Sequence, residues 1–337
     1  MAPSNHLLRQ VKGFLPAAVT VTPKETDMKA VRYHEFGSTE VLRHEEVERP
    51  VPGPGQVLVE VAATSFNPVD DHIRLGVLAE MIPTPLPITP GLDLAGTVVE
   101  LGAGVDGVAP GDRVVAMLPL DVHGGAAEYA VVAADLLASA PRTVDLADAA
   151  SLPLAGLAAM QAVVELAEVR AGQTVLVVGA GGAVGSIVVQ LAVDAGATVT
   201  AVDGPEHDDR LRGYGARVVG PLDLDAGPAA VSGPFDVVVN HVRLPAEDLA
   251  RLTAFVADGG IVVSSAGPVP ADEARSVRTA GVWVRPDTAH LADLVTRVDA
   301  GRLRLHVVDR RTLAELPAVH EDAGQGRLPG KTVILVA

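Results

Sequence analysis

The segment from Thr174 to Val202 constrains the fold more than any other part of this sequence. Thr174–Val178 is a short apolar run, and the glycine-rich stretch 179–185 separates it from a helical run, Ser186–Ala195. A second apolar run, Thr198–Val202, follows directly. Apolar runs without alternation, joined through a helix, are typical of parallel strands that are covered on both faces. The segment therefore predicts one β–α–β unit of an α/β fold.

The glycine-rich turn fits a relaxed dinucleotide-binding fingerprint, with Ala180, Gly182 and Gly185 in its three small positions. Small residues permit the tight bend, let backbone N–H groups approach a pyrophosphate, and let the helix pack on the strand. A tight strand-to-helix connection without a ligand would have the same composition, but the position directly after an apolar strand favours nucleotide binding. The predicted cofactor-binding residues of this turn are Gly179, Ala180, Gly181, Gly182, Ala183, Val184 and Gly185.

The pattern of apolar runs and loops in the sequence changes near Pro141. Before it, short strand-like runs alternate with loops rich in proline and glycine, which indicates a barrel-like all-β module. After it, the β–α–β unit and further apolar runs indicate a parallel sheet with helices. In this second part the pattern predicts a helix over Leu146–Ala167, strands at Asp236–Val239 and Gly260–Ser264, and a tail of helix and strand at Leu291–Ala300, Arg304–Val308 and Thr332–Val336.

Composition excludes several classes of protein. The net charge of −16 argues against a nucleic-acid or anionic-membrane partner. Cysteine is absent, which excludes disulfides, cysteine-ligated zinc, iron–sulfur clusters and a thiol nucleophile. No uncharged apolar stretch is long enough to span a membrane, and the apolar run Phe14–Val19 is too short for an export signal. We therefore expect a cytoplasmic protein.

Motifs distributed along the chain resemble one protein superfamily. They are Asn67-Pro68-Val69-Asp70, Pro90–Gly96, Gly111–Val114, Gly125–Tyr129, the glycine turn, Gly259-Gly260 and Gly330-Lys331. In this order, over about residues 28–337, they are similar to the zinc-independent branch of the medium-chain dehydrogenase/reductase superfamily, the quinone oxidoreductase and enoyl reductase group.

The resemblance implies an α/β fold with a GroES-like β-barrel catalytic domain and a doubly wound Rossmann domain. The implied segments are an N-terminal extension (1–27), the catalytic domain (28–150), the Rossmann domain (151–285) and a return to the catalytic domain (286–337). It also implies a homodimer, a small conjugated carbonyl or quinone substrate, and NADPH or NADH in the cleft between the domains. The zinc sites of related enzymes need cysteine, so no metal is expected here.

The resemblance assigns further site residues, each with a structural alternative. Asn67 is expected to reach toward nicotinamide and substrate as a catalytic residue, although an Asn-Pro turn would also use it. His72 is expected to line the substrate cleft and donate a hydrogen bond or proton, unless it is only a loop histidine. Lys331 is expected near the cofactor, unless it is a solvated lysine. Asn240 and Ser264, at the ends of two predicted strands, are expected to bind the cofactor.

The choice between the two cofactors stays open at this point. Asp203 follows the second apolar strand, where a carboxylate binds a free ribose diol and repels a 2′-phosphate. Arg210 and Arg212, a few positions later, could compensate by binding that phosphate. The family favours NADPH, whereas the local charge favours NADH.

Departures from the family pattern support a second hypothesis. The stretch 156–159 lacks a threonine hydroxyl that the family often has, and Arg243 stands where the family often has glycine. A non-redox cyclase, isomerase or binding protein with impaired cofactor use would fit these changes. The intact glycine turn favours a reductase of conjugated enones or quinones. Arginine outnumbers lysine and alanine abounds, which is typical of bacteria whose enzymes of this kind serve natural-product pathways.

Overall fold

The computed structural model describes residues 27–83 and 85–336, so the predicted extension lies outside the described residues apart from Asp27. The first part of the chain is mostly antiparallel strand, and its polar, proline-rich loops fall between the elements. Its elements are β1 (Asp27–Arg32), β2 (Arg43–Glu48), β3 (Gln56–Ser65), α1 (Pro68–Arg74), β4 (Asp93–Leu101), β5 (Arg113–Met117), β6 (Tyr129–Ala133) and β7 (Ala138–Ser139). Strand β3 is central and pairs with both β4 and β6.

The second part is a parallel sheet with helices. Its elements are α2 (Leu146–Ala149), α3 (Pro153–Met160), β8 (Thr174–Val178), α4 (Ala183–Asp194), β9 (Thr198–Val202), α5 (Asp208–Gly213), β10 (Arg217–Val219), β11 (Phe235–Asn240), α6 (Ala246–Arg251), β12 (Val256–Ser264) and β13 (Arg278–Gly281). The strand order β10-β9-β8-β11-β12-β13 reverses direction between β8 and β11. Ligands of such sheets bind where the order reverses, beyond the carboxyl ends of the strands.

The last part of the chain returns to the first sheet. Its elements are α7 (Thr288–Asp299), β14 (Asp309–Thr312), α8 (Leu316–Gly324) and β15 (Thr332–Leu335). Strand β15 pairs antiparallel with β3 and parallel with β14. The α/β fold predicted from the sequence, a GroES-like barrel domain with a doubly wound Rossmann domain, is confirmed.

Two predicted elements differ from the structure. The single helix over Leu146–Ala167 is instead α2, α3 and a π-helical turn, because Pro153 begins a new helix at its first turn. The strand predicted at Arg304–Val308 is wrong. The backbone N–H and C=O of Arg304 bond to the side-chain amide of Gln190 on α4, at 2.8 and 3.1 Å, instead of to a neighbouring strand.

One core joins the two domains. The same buried cluster contains Ala95 of the first sheet, Leu157 of α3, Val177 of β8 and Leu294 of α7. Among the described residues, the helical stretch Leu146–Leu166 is long and apolar enough to cross a membrane by length and composition. However, 83% of the 18-residue apolar segment within it is buried inside the protein. Packing between the domains accounts for its hydropathy.

Candidate active site

The glycine turn between β8 and α4 is built from glycines with different roles. Gly179 has φ of +80°, which favours glycine. A Cβ on Gly185 would lie 2.1 Å from the carbonyl oxygen of Gly179, so only glycine lets the helix pack this closely on the strand. A Cβ on Gly182 would meet only the Gly179 oxygen, at 3.5 Å. The space at Gly182 is therefore open, as an approaching phosphate requires.

The N-terminus of α4 faces this open space. Gly182 is the N-cap, and the first bond of the helix runs from the Ser186 N–H to the Gly182 carbonyl at 3.0 Å. The N–H groups of Ala183, Val184 and Gly185 precede that bond and have no acceptor within the helix. Together with the positive end of the helix dipole, these groups form a cradle suited to a pyrophosphate.

Asp203, directly after β9, braces the glycine turn. One carboxylate oxygen accepts the N–H of Gly181 at 2.6 Å, and the other accepts the N–H of Gly204 at 2.8 Å. Both oxygens thus have a donor within the protein before any ribose approaches.

Arg210 of α5 approaches the same turn. Its Nη2 donates to the Gly181 carbonyl at 2.7 Å and lies 3.2 Å from Nδ1 of His207. Its Nη1 is buried without a hydrogen-bond partner among the described residues. Burial, and after it the charges of Arg210 and His207, lowers the pKa of His306 in the returning segment. Beside the glycine turn there is therefore a guanidinium with one donor that has no partner among the described residues.

Asn240 and Ser264 lie side by side, as the ends of β11 and β12. Asn240 Nδ2 donates to the carbonyl of Val242 at 3.0 Å and to the Ser264 hydroxyl at 3.3 Å, and Asn240 Oδ1 accepts the Val242 N–H. The Ser264 hydroxyl also accepts the N–H of Ala266. Both side chains are buried and shape the loops at the carboxyl edge of the sheet.

Asp93 at the start of β4 organises the catalytic domain next to this edge. Its side chain is 0% exposed. One oxygen accepts hydrogen bonds from the Ser65 hydroxyl, from Asn67 Nδ2 at 2.8 Å and from Lys331 Nζ at 3.3 Å. The other accepts the N–H of Leu154, at the N-terminus of α3, at 2.7 Å. Asp93 was not predicted as a site residue from the sequence, although it lies within the motif Pro90–Gly96.

The predicted residues Asn67 and Lys331 meet in this network. Lys331 Nζ donates to Asn67 Oδ1 at 2.8 Å, to the Phe66 carbonyl at 3.2 Å and to Asp93, which uses its three N–H donors. The Asn67 amide also donates to the Ser65 carbonyl at 3.3 Å. Lys331 is 6% exposed and is therefore not a solvated lysine. The structure brings the two residues together, with their hydrogen bonds directed to each other and to Asp93.

Helix α1 follows Asn67 and is fixed at both ends. Asp70 accepts the Asn67 N–H at 2.8 Å in a capping box. Asp71 pairs with Arg74 at 2.8 Å and with His320 of α8 at 2.7 Å, and both partners are buried. These contacts leave little freedom for the helix to rotate.

His72 projects from α1 toward the Rossmann domain. Its Nε2 meets Nη2 of Arg243, from the loop after β11. Because a guanidinium only donates, Nε2 accepts and the ring proton lies on Nδ1. Burial and the Arg243 charge lower the pKa of His72, so the imidazole is neutral at pH 7. The sequence showed Arg243 only as a departure from the family pattern, because no local spacing connects it with His72.

Among the described residues, two groups of carboxylates and imidazoles are close enough to hold a metal ion. One is Glu165, Asp287 and His290, and the other is Asp203, Glu206 and His207. Arg285 pairs with Glu165 of the first group at 3.0 Å, and the second group lies on the segment that follows β9. Neither group contains Asn67 or His72.

The carboxyl group of Asp70 predicts a pH dependence of stability. Burial raises its pKa from 3.8 to about 7, with the Asp93 charge adding to the effect against the Asn67 hydrogen bond. The native chain then binds more protons than the unfolded chain between about pH 4 and pH 7, so ionisation destabilises the fold by up to roughly 4 kcal/mol across this interval. Asp70→Asn keeps an acceptor for the Asn67 N–H but cannot ionise.

We expect the stability of Asp70→Asn relative to the wild type to increase as the pH rises from about 4 to about 7. Urea unfolding at a series of pH values measures this difference. Asp209→Asn, at a fully exposed carboxylate, is the control and should follow the wild type throughout. A constant difference between Asp70→Asn and the wild type would contradict the assignment.

Comparison with known proteins supports one family. A family model described as "Alcohol dehydrogenase GroES-like domain" matches residues 53–142. A second, described as "Zinc-binding dehydrogenase", matches residues 217–334. The first match falls on the barrel domain, and the second extends from β10 through the returning segment.

The similar proteins include quinone oxidoreductases from distant organisms. The chain is 32% identical to a quinone oxidoreductase of Sus scrofa over 92% of this chain and 98% of the relative. It is 31% identical to the chloroplastic quinone-oxidoreductase QR1 of Triphysaria versicolor over 91% and 98%. It is also 35% identical to a chloroplastic NADPH-dependent alkenal/one oxidoreductase of Arabidopsis thaliana over 75% and 67%.

A solved structure agrees with these relatives. The quinone oxidoreductase from Coxiella burnetii superposes with a TM-score of 0.81 at 29% identity, covering 92% of this chain and 100% of that one. The resemblance found in the motifs is therefore confirmed over most of the chain. This chain is an oxidoreductase enzyme that belongs to the medium-chain dehydrogenase/reductase superfamily, as a relative of the quinone oxidoreductases.

Proposed function

We propose that this enzyme is an NADPH-dependent reductase of conjugated enones or quinones. The observation that carries the proposal is the open cradle at Gly182, with the free N–H groups of α4, at the point where the strand order reverses. The names of the relatives supply the reaction class, since they include quinone and alkenal/one oxidoreductases. The substrate is a small molecule bound next to that cradle.

The residues of this chain fit a nicotinamide dinucleotide. The N–H groups of Ala183, Val184 and Gly185 would hold the pyrophosphate, and Arg210 with His207 would face the adenosine end. When bound, the cofactor supplies a hydride, which together with one proton from water converts an enone into a saturated ketone or a quinone into a hydroquinone. The remaining catalysis falls to the side chains that bind and orient the substrate.

His72 and Arg243 are the donors we assign to the substrate oxygen. Hydride addition to a conjugated acceptor moves negative charge to that oxygen, and hydrogen-bond donors placed beside it lower the barrier. The neutral His72 offers its Nδ1–H, and the guanidinium offers N–H groups beyond the one that His72 accepts. We propose that these donors take the part that zinc plays as a Lewis acid in related enzymes. The complete absence of cysteine agrees with that division.

We propose NADPH as the preferred cofactor. Asp203, the carboxylate that favoured NADH, accepts hydrogen bonds from the N–H groups of Gly181 and Gly204, which turn both of its oxygens toward the protein backbone. The unpartnered Nη1 of Arg210 offers a charge-assisted bond to a 2′-phosphate. NADH would leave that buried donor without an acceptor, which carries a cost.

Arg210→Gln is expected to weaken NADPH binding about 10- to 100-fold, as the loss of one charged hydrogen bond implies. NADH binding should weaken less than NADPH binding, because the lost bond to Gly181 affects both nucleotides whereas the bond to the 2′-phosphate is specific to NADPH. Calorimetric titration of both nucleotides at one ionic strength measures the two effects. Arg212→Gln removes a neighbouring guanidinium that already pairs with Asp208 at 2.8 Å, and it should bind both nucleotides like the wild type. Tighter binding of NADH than of NADPH by the wild type would contradict the proposal.

The edge of the Rossmann sheet supports the proposed homodimer. Strand β13 pairs only with β12 on the described part of that sheet, so its outer edge has unpaired backbone groups. Trp283, two residues after the end of β13, is 59% exposed, which is unusual for so large an apolar side chain. We expect sedimentation velocity to give the mass of two chains, and Trp283→Glu to shift the protein toward one. A single-chain mass at micromolar concentration would argue against pairing through this edge.

The reaction itself is tested with NADPH and a neutral acceptor such as cyclohexenone or naphthoquinone. The wild type should consume NADPH only when the acceptor is present. Gly182→Val fills the cradle without a clash in the nucleotide-free fold, because its Cβ has room. That variant should lose nucleotide binding and activity while its melting temperature stays near that of the wild type. Nucleotide binding without turnover of any acceptor would instead favour a non-redox role.

A further inference from the structure

Arg243 is a cation without a carboxylate partner. Among the described residues, its side chain makes one hydrogen bond, to the neutral imidazole of His72, and the guanidinium is exposed. The next arginine along the chain, Arg251, pairs with both Asp225 and Asp248. A neutral imidazole satisfies one N–H donor of Arg243 but compensates none of its charge. The guanidinium therefore retains its charge and four donors.

The backbone that carries Arg243 is held in place. The Asn240 side chain bonds to both the N–H and the carbonyl of Val242, at 3.2 and 3.0 Å. The Val242 side chain packs against the glycine turn, since a Cβ on Gly179 would lie 2.8 Å from it. Arg243 therefore emerges from a braced loop where β8 and β11 end, next to the cradle.

The opposite wall of the cleft is equally fixed. Helix α1 is anchored through Asp71, which pairs with the buried Arg74 and His320. His72 on that helix receives the Arg243 N–H, so the guanidinium lies between the two domains. A substrate that enters beside His72 meets a positive charge whose position is already set.

We propose that Arg243 selects substrates that carry a carboxylate, or a similar anionic group, close to the conjugated acceptor. The inference rests on the proposed function, because it takes the space between His72 and the cradle as the substrate end of the site. A planar guanidinium binds a carboxylate through two parallel hydrogen bonds, and His72 holds one edge of that plane. Such a pair favours an acidic substrate over its neutral ester.

The test compares trans-β-benzoylacrylate, an enone carboxylic acid, with its methyl ester. The measured quantity is the ratio of kcat/KM for the acid to kcat/KM for the ester, with NADPH as cofactor. Arg243→Gln should lower this ratio about 10- to 100-fold relative to the wild type, since a charge-assisted contact is lost. Arg243→Lys should give an intermediate ratio, because lysine keeps the charge but not the planar fork. Arg217→Gln, at an exposed site on β10, is the control and should keep the wild-type ratio.

An unchanged ratio in Arg243→Gln would overturn the inference. If that variant also loses activity toward acid and ester alike and has a lower melting temperature, the contact with His72 is a structural latch. If the wild type reduces neutral quinones and the ratio is still unchanged, the proposed function stands and only the selection of acids fails.

A wild type that reduces no acceptor would refute the proposed function, and direct binding then decides the inference. Calorimetric titration with the acid and with the ester needs no turnover. Tighter binding of the acid that Arg243→Gln abolishes would support the anion site. Equal binding of acid and ester, or no loss in Arg243→Gln, would overturn it.

Discussion

The buried carboxylate of Asp93 is the contact on which the arrangement of this enzyme depends. It accepts hydrogen bonds from Ser65 at the end of β3, from Asn67 before α1, from Leu154 at the start of α3 and from Lys331 before β15. A carboxylate so far from water is stable only when every lone pair has a donor and a cation is near. One side chain thereby fixes the ends of four elements. Among these, α1 carries His72 to the cleft, and α3 leads into the core that both domains share.

Much of this architecture could be predicted from local sequence signals. The strands Thr174–Val178 and Thr198–Val202 have the predicted bounds, because an apolar run ended by glycine is a local pattern. The glycine turn was predicted for the same reason. The prediction of a strand at Arg304–Val308 was wrong, because the side-chain amide of Gln190, distant in sequence, bonds to the backbone N–H and C=O of Arg304.

The chemistry of the site was less accessible to sequence reasoning. Asn67 and Lys331 were selected by resemblance, but their shared partner Asp93 was not, because a buried network assembles residues that no local spacing connects. The contact between His72 and Arg243 could not be predicted for the same reason, since the two residues lie 171 positions apart in the sequence and belong to different domains. Asp203 was chosen for a charge that two backbone N–H groups already engage. In each case the sequence shows the residue itself but does not show which residue it contacts in the folded protein.

The late position of Lys331 in the chain has a consequence for biosynthesis. The ribosome synthesises Asp93 long before Lys331 and β15, so the network around Asp93 and the pairing on β3 cannot be completed until the end of the chain has been made. The Rossmann sheet, by contrast, is complete once Gly281 has left the exit tunnel. The Rossmann sheet can therefore form during synthesis before the barrel closes. The first-made strands are the ones that depend on the last-made residues.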